Sequence, residues 1–364
     1  LASLACALAP SLLILSIARA VQGLGAAGIM SVNAALVRFT YPHASLGRAM
    51  GINAFVIATA AAIGPTLASA VLAVAHWRWL FGINVPIGLL ATVIAFRALP
   101  ESARVSRPLN YVGAALSAVT FALTLSGLQS LAHHEAMTVA LLQLGLGVLA
   151  GWLLIRHELP RTSPIIPFDL LRVRLFSLSL ATSVCSFTAQ MTALVSLPFE
   201  IQRLGYSAVE TGLFMTPWPL ALAFAAPLAG RLSDRHAAGI LGGLGLATLA
   251  CGLLLLAFLP AGHAAFSFIW RMAVCGLGFG FFQAPNNRTI MAAAPRLRSG
   301  AAGGMLSSAR LLGQTLGAAL VAILFAAYAG SGPKIALCVA AALALAGAAV
   351  SLVRLKAPPQ GVTR

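Results

Sequence analysis

The chain has 364 residues, 60% of them hydrophobic and only 8% charged, and a net charge of +16 at pH 7. A soluble domain carries about 25% charged residues to cover its surface, so a water-solvated globule is excluded and the membrane span of about 20 apolar residues becomes the unit of reading. The positive charge is scattered through short loops without a basic helix or RNA-binding module, which argues against a nucleic-acid partner.

Residues 1–9 read as the end of one span. Complete spans are expected near 12–38, 48–75, 79–98, 110–131, 137–156, 175–198, 208–229, 238–259, 264–287, 299–328 and 333–354, eleven in all. The breaks are short and hold proline, arginine or histidine, as helical hairpins in a bundle require. The ~10-residue alternating segments of an outer-membrane barrel are absent.

The span at 12–38 carries Arg19, Gln22, Gly23, Gly25 and Gly28. A guanidinium inside a span faces a cavity or a partner, or else snorkels to the outer interface. Gln22 lies one turn away, and the small residues after it let another helix approach closely. The span at 48–75 brings Gly51, Ala60, Gly64, Pro65, Ala68 and Ser69. Here proline bends the helix and small residues at four-residue spacing flatten one face. Trp77, Arg78, Trp79, Asn84 and Pro86 then suit an outer-interface anchor and the start of the next helix. At 230–235 the inner loop reads Gly230, Arg231, Leu232, Ser233, Asp234, Arg235. Asp234 can cap the next helix and pair with a nearby arginine, either as an inner latch that breaks on opening or as a static cap. Cys6, Cys185, Cys251, Cys275 and Cys338 lie inside apolar spans without metal-ligand or CxxC spacing, as buried small hydrophobes do.

Sliding the chain by 253 residues aligns Gly23, Gly25, Gly47, Gly51 and Gly64 with Gly276, Gly278, Gly300, Gly304 and Gly317, and Asn33 with Asn286. Chance gives roughly half a glycine pair over that window. Such a duplication points to a transporter of two related halves. About 101 residues of the second half precede Gly276 but only 22 precede Gly23. The first half therefore reads as short by roughly 79 residues, two helices and most of a third.

Orientation follows from the 23 Lys and Arg. Arg78, Arg203 and Lys334 fall on one side, and Arg19, Arg271 and Arg310 within spans. The other 17 share the side of the C-terminus, which places that terminus in the cytoplasm.

These motifs resemble, in order, those of the major facilitator superfamily, and more closely those of the fourteen-span drug:proton antiporter family of bacterial multidrug exporters. The family's R-x-x-Q-G-x-G-A-A run matches Arg19, Gln22, Gly23, Gly25, Ala26 and Ala27. Its antiporter motif G-x8-G-x3-G-P-x2-G-G lands on Gly51, Ala60, Gly64, Pro65, Ala68 and Ser69, with three glycines replaced. The W-R-W-x-F-x-I-N-x-P-I-G stretch matches at residues 77–88, and G-x-x-x-D-R at Gly230, Asp234 and Arg235, without the basic tail. Arg310, Gly313 and Gly317 resemble the family's penultimate span. The resemblance implies an all-α polytopic membrane protein with the major facilitator fold: two pseudo-symmetric six-helix bundles and two linker helices. Residues 1–99 would be an incomplete first bundle, 100–174 the linker spans and inner loop, and 175–364 the second bundle. It also implies a bacterial inner-membrane efflux transporter using the proton gradient and no cofactor, on a periplasmic adaptor and outer-membrane channel where one serves it. Arg19, Gln22, Gly64, Pro65 and Arg310 are then the coupling and gating candidates, and Gly230, Arg231, Asp234 and Arg235 the inner latch.

None of the seven acidic residues falls in mid-span: Glu101, Glu158, Asp169 and Asp234 read as inner, Glu135, Glu200 and Glu210 as outer. The histidines, His133, His134 and His263 among them, are also in loops or at span ends. A proton-driven antiporter needs a titratable group in its cavity. The 364 residues alone are therefore expected not to couple transport to protons. Polar or aromatic groups within spans, Gln22, Asn33, Asn53, Gln190, Trp218, Gln283, Asn286 and Gln314, are the candidate cavity lining, each with helix-to-helix bonding as its alternative role. Multidrug export of lipophilic or cationic compounds, export of one native metabolite (a siderophore, peptide or toxin) and a membrane enzyme or receptor are the competing functions. The last has no Ser/His/Asp set, metal cluster or phosphate loop behind it.

Overall fold

The computed structural model describes residues 1–99, 110–132, 137–161, 167–259, 265–328 and 330–356. Among them eleven helical segments are long and apolar enough to cross a membrane, at the positions the apolar runs predict. Helices satisfy their own backbone polar groups, which a hydrocarbon solvent demands. The short α1 (Ala2–Leu8) precedes α2 (Leu12–Thr40) and α3 (Leu46–Val74). α4 (Trp79–Gly82) and α5 (Asn84–Ala98) share one span, and α6 (Tyr111–Ala132) pairs with α7 (Met137–Glu158). After α8 (Phe168–Leu171) come α9 (Arg174–Arg203), α10 (Ala208–Met215), α11 (Pro217–Ser233), α12 (Ala238–Ala257), α13 (Ala265–Ala293), α14 (Ser299–Ala327) and α15 (Gly332–Val353).

Local chemistry sets several of these bounds. Ser207 Oγ accepts from the Glu210 amide at 3.3 Å while Glu210 Oε2 accepts from the Ser207 amide at 2.8 Å, a capping box that starts α10. The break to α11 falls at Thr216, before Pro217. The span expected at 79–98 is Trp79–Ala98, and within it α5 begins at Asn84, whose Nδ2 donates back to the Leu80 carbonyl at 3.1 Å. α3 runs unbroken from Leu46 to Val74. The Pro65 side chain, and the expectations for Glu101, His133, His134, Glu135 and His263, lie outside the described residues.

The duplication holds to the residue. Adding 253 to the bounds of α2 gives those of α13, adding it to α3 gives α14, and the 3₁₀ turn His43–Ser45 maps onto Arg296–Arg298. α13 packs between α11 and α12. A Cβ on Gly278 would stand 2.5 Å from the Leu249 amide nitrogen, and one on Gly317 would stand 2.6 Å from the Thr188 carbonyl. Backbones meet there, as small residues in lipid allow. Trp218, Phe279, Phe282, Leu246, Leu249, Leu253 and Met272 fill the space between. α3 lies along α11 in the same way, with Gly51 against the Ala226 carbonyl and Gly47 against Gly230.

In each of the five aligned glycine pairs, one member is sealed and the other is open. Gly47, Gly51, Gly276, Gly278 and Gly317 are pressed against another helix. Their mates Gly300, Gly304, Gly23, Gly25 and Gly64 would meet nothing within 4 Å.

Candidate functional site

α2, α3, α9, α13 and α14 enclose a cavity of about 310 Å³. Its polar lining is Asn33 from α2, Asn53 from α3, Gln283 and Asn287 from α13, and Ser307 and Arg310 from α14; Ile29, Met30, Ile57, Phe187 and Leu306 supply apolar wall. Asn33 Nδ2 donates to Asn53 Oδ1 at 3.0 Å, which fixes both amides. The Arg310 guanidinium carbon lies 5.6 Å from the centre of the Phe187 ring, and its Nε is buried without a hydrogen-bond partner. Among the described residues no aspartate or glutamate lines this cavity.

Two contacts join helices beside it. Ser307 Oγ donates to the Met30 carbonyl at 3.1 Å, joining α14 to α2. At the other contact Asp234, at the end of α11, reaches the start of α3. Its Oδ1 accepts from the Gly47 amide at 2.9 Å and its Oδ2 from the Arg48 amide at 3.1 Å. Those are the second and third residues of α3, whose amides have no partner within the helix and carry the positive end of its dipole. Arg288 Nε of α13 donates to Asp234 Oδ1 at 3.1 Å. Asp234 thus caps a helix 187 residues earlier, not the next one, and pairs with Arg288 rather than with its neighbours Arg231 and Arg235, which are exposed. Gly230 matters here by its bareness: a Cβ would strike the Gly47 carbonyl.

The other coupling candidates lie elsewhere. Arg19 donates to Gln22 Oε1 at 2.6 Å and sits over Phe81, and Gln22 donates to Ser3 Oγ at 3.0 Å. That cluster joins α1, α2 and α4. Gly64 faces open space. Trp218 is 2% exposed between α11 and α13, and Gln190 lines neither the cavity nor the groove that holds Gln314. That groove, of about 490 Å³, runs between α6, α9 and α14 and is lined by Leu128, Met191, Phe199 and Phe325.

Asn286 requires the largest correction. It is fully buried and faces away from the cavity, donating to Ser183 Oγ at 2.8 Å and accepting from Arg354 at 2.5 Å. Arg354 also donates to Ser179 Oγ at 2.9 Å and to Ser351 Oγ, whose hydroxyl donates to the Gly239 carbonyl at 3.0 Å. Four helices, α9, α12, α13 and α15, are tied through one guanidinium, and its burial pulls its pKa down to about 10. Asn286→Ala is expected to cost about 3 kcal/mol, because it leaves a buried donor of a charged group unmet. A thermal melt should fall by several degrees while ligand affinity of the cavity stays within twofold. Unchanged melting would dismiss the staple.

Asn287, Phe187 and Arg288 were not foreseen. One signal existed for Asn287: it lies four residues after Gln283, on the same helix face.

Helices long and apolar enough to cross a membrane, packed around a polar-lined cavity, are the arrangement of a solute transporter. The chain belongs to the Major Facilitator Superfamily, whose family model matches residues 1–318. It is 51% identical over 361 residues to an uncharacterized transporter, YebQ of Escherichia coli K12, covering 98% of this chain and 79% of that protein. It is 30% identical over 332 residues to the multidrug resistance protein Stp of Mycobacterium tuberculosis, covering 90% of this chain and 62% of that one, so it spans less than two thirds of Stp. The crystal structure of the human organic anion transporter MFSD10 shares the fold, with a TM-score of 0.68 at 14% identity over 96% of this chain and 74% of the other.

Proposed function

We propose that this chain is the translocation core of a bacterial inner-membrane efflux transporter that moves lipophilic small molecules by alternating access. The observation that carries this reading is Asp234. One carboxylate holds α3 to α11 beside the cavity, through bonds that must break if that end is to open. Gly230, Arg231, Asp234 and Arg235 form the latch segment in this reading, with Arg288 as its anchor. The end they occupy also bears Arg38, Arg48, Arg296, Arg298 and Arg354, which supports a cytoplasmic assignment. The residue-for-residue match of α2 and α3 with α13 and α14, and the separate pairing of α6 with α7, support bundles at 1–99 and 175–364 joined by linker spans at 100–174. Similarity to Stp supports drug export.

Proton antiport is the energetic part of the reading, and Arg310 is the coupling candidate on the cavity. Without a lining carboxylate, the 364-residue chain by itself is expected to pass substrate and no protons. The test is the chain in sealed vesicles with a pH gradient and a lipophilic fluorescent dye. Dye movement without accompanying proton flux is expected. Drug-dependent proton flux would overturn the coupling statement, and no dye movement by folded protein would overturn transport. Arg310 favours one alternative, export of a single metabolite of fixed charge, because a permanent cation in a small cavity selects by sign.

A further inference from the structure

We infer that the cavity is built for an organic anion, a flat apolar body bearing one carboxylate, sulfonate or phosphate group that the Arg310 guanidinium holds. This deepens the transport reading and rests on it. It also departs from the expectation of cationic drugs.

The arginines set the sign of the ligand. A guanidinium stays charged in any protein environment, and taking it out of water is costly unless an oxygen-bearing partner meets it. Arg288 is bonded to Asp234, and Arg298 to Asp169 at 2.6 Å. Arg354 is surrounded by the oxygens of Ser179, Asn286 and Ser351. Arg38 and Arg271 each have a buried nitrogen without a partner, but neither lines the cavity or the groove, and Arg271 donates to the Ser267 carbonyl at 2.7 Å. Arg310 combines three properties: a place on the cavity wall, a buried Nε without a partner, and no acidic residue among the described lining. Phe187 lies against it, so ring and guanidinium attract.

The rest of the wall fits the same ligand. Asn53, Gln283 and Asn287 are neutral amides able to donate to further oxygens. Ile29, Met30, Ile57 and Leu306 offer an apolar bed for a ring system. A cation would meet like charge and find no carboxylate there. An uncharged molecule would leave the guanidinium unmet.

The test uses the purified full chain and three probes that share one ring: naphthalene-2-acetate, naphthalene-2-acetamide and (2-naphthylmethyl)trimethylammonium. The acetate should bind at least about tenfold more tightly than either of the others. Equal affinities, or preference for the ammonium, overturn the inference. Arg310→Gln should bring the acetate to the affinity of the acetamide and leave the acetamide unchanged, and Arg310→Lys should keep part of the preference. A preference that survives Arg310→Gln overturns it. Should Arg310→Gln fail to fold, Asn287→Asp retains Arg310 and adds a carboxylate to the same wall. It should abolish the preference, and an undiminished preference there also counts against the inference. The dye assay above uses no anion, so the same vesicles are also assayed for uptake of the acetate. Anion-selective binding with no acetate uptake would sink the transport reading alone, whereas dye movement without anion selectivity would sink this one alone.

Discussion

Asp234→Ala is expected to open the end of the molecule where α3 meets α11. The substitution removes a carboxylate that accepts from the Gly47 and Arg48 amides and from Arg288, and it leaves those donors facing an apolar methyl. Breaking a largely buried charge-assisted set of this kind costs about 3–5 kcal/mol. That cost falls on the closed arrangement, since the open one has already lost the α3 bonds, so the closed-to-open ratio should drop on the order of 10²-fold to 10⁴-fold. Spin labels at the exposed positions Ala44 and His236 report the change. The unsubstituted chain should give one short distance and Asp234→Ala a dominant longer one. Arg288→Gln should do less, because the two backbone donors remain. An unaltered distance distribution in Asp234→Ala would retire the latch.

Gly51→Val should keep the same end from closing, by volume instead of by loss of charge. A Cβ at Gly51 would stand 2.5 Å from the Ala226 carbonyl oxygen and 3.0 Å from Pro227 Cα, both backbone atoms of a packed helix that cannot swing aside. Overpacking of a close helix contact costs about 1–3 kcal/mol or more, and here the relief available is separation of α3 from α11. Dye movement should fall at least about tenfold, the conversion of 1.4 kcal/mol, and the labels should report the long distance. Gly51→Ala should lie between the two. A normal rate in Gly51→Val would show that the two backbones do not need to touch for transport.

The spans were legible in the sequence because hydrocarbon thickness and the cost of unmet backbone groups leave few ways to cross a membrane. What was not legible is the direction each polar side chain faces. A soluble helix announces its inward face by contrast with a charged outer one, and helices that are apolar all round give up that signal. Asn286 and Asn287 show the result. One residue apart on α13, one is bound to Arg354 and the other lines the cavity. The repeat favoured Asn286 through its match to Asn33, yet Asn286 is held by Arg354 whereas Asn33 donates to Asn53. Asp234 failed for a different reason. Local capping chemistry identified the residue type correctly, but its partner helix lies 187 residues away and only the packing of α3 on α11 brings it there. Arg310 needed no packing detail, because a cation inside a span already demanded a cavity or a partner.

The glycine pairs carry a consequence for shape. Equivalent helices present equivalent surfaces, so each sealed glycine is a casting of its open mate. A helix seated on Gly300 and Gly304 has to offer a stretch as bare as Ala226–Gly230, since that is what Gly47 and Gly51 accept. One lying over Gly23 has to bring a carbonyl as close as Trp218 does to Gly276, and one over Gly25 a backbone as close as Gly245 and Leu249 come to Gly278. Two of the sealed glycines lie in the first half and three in the second, so each half shows the surface that would seat on open positions of the other.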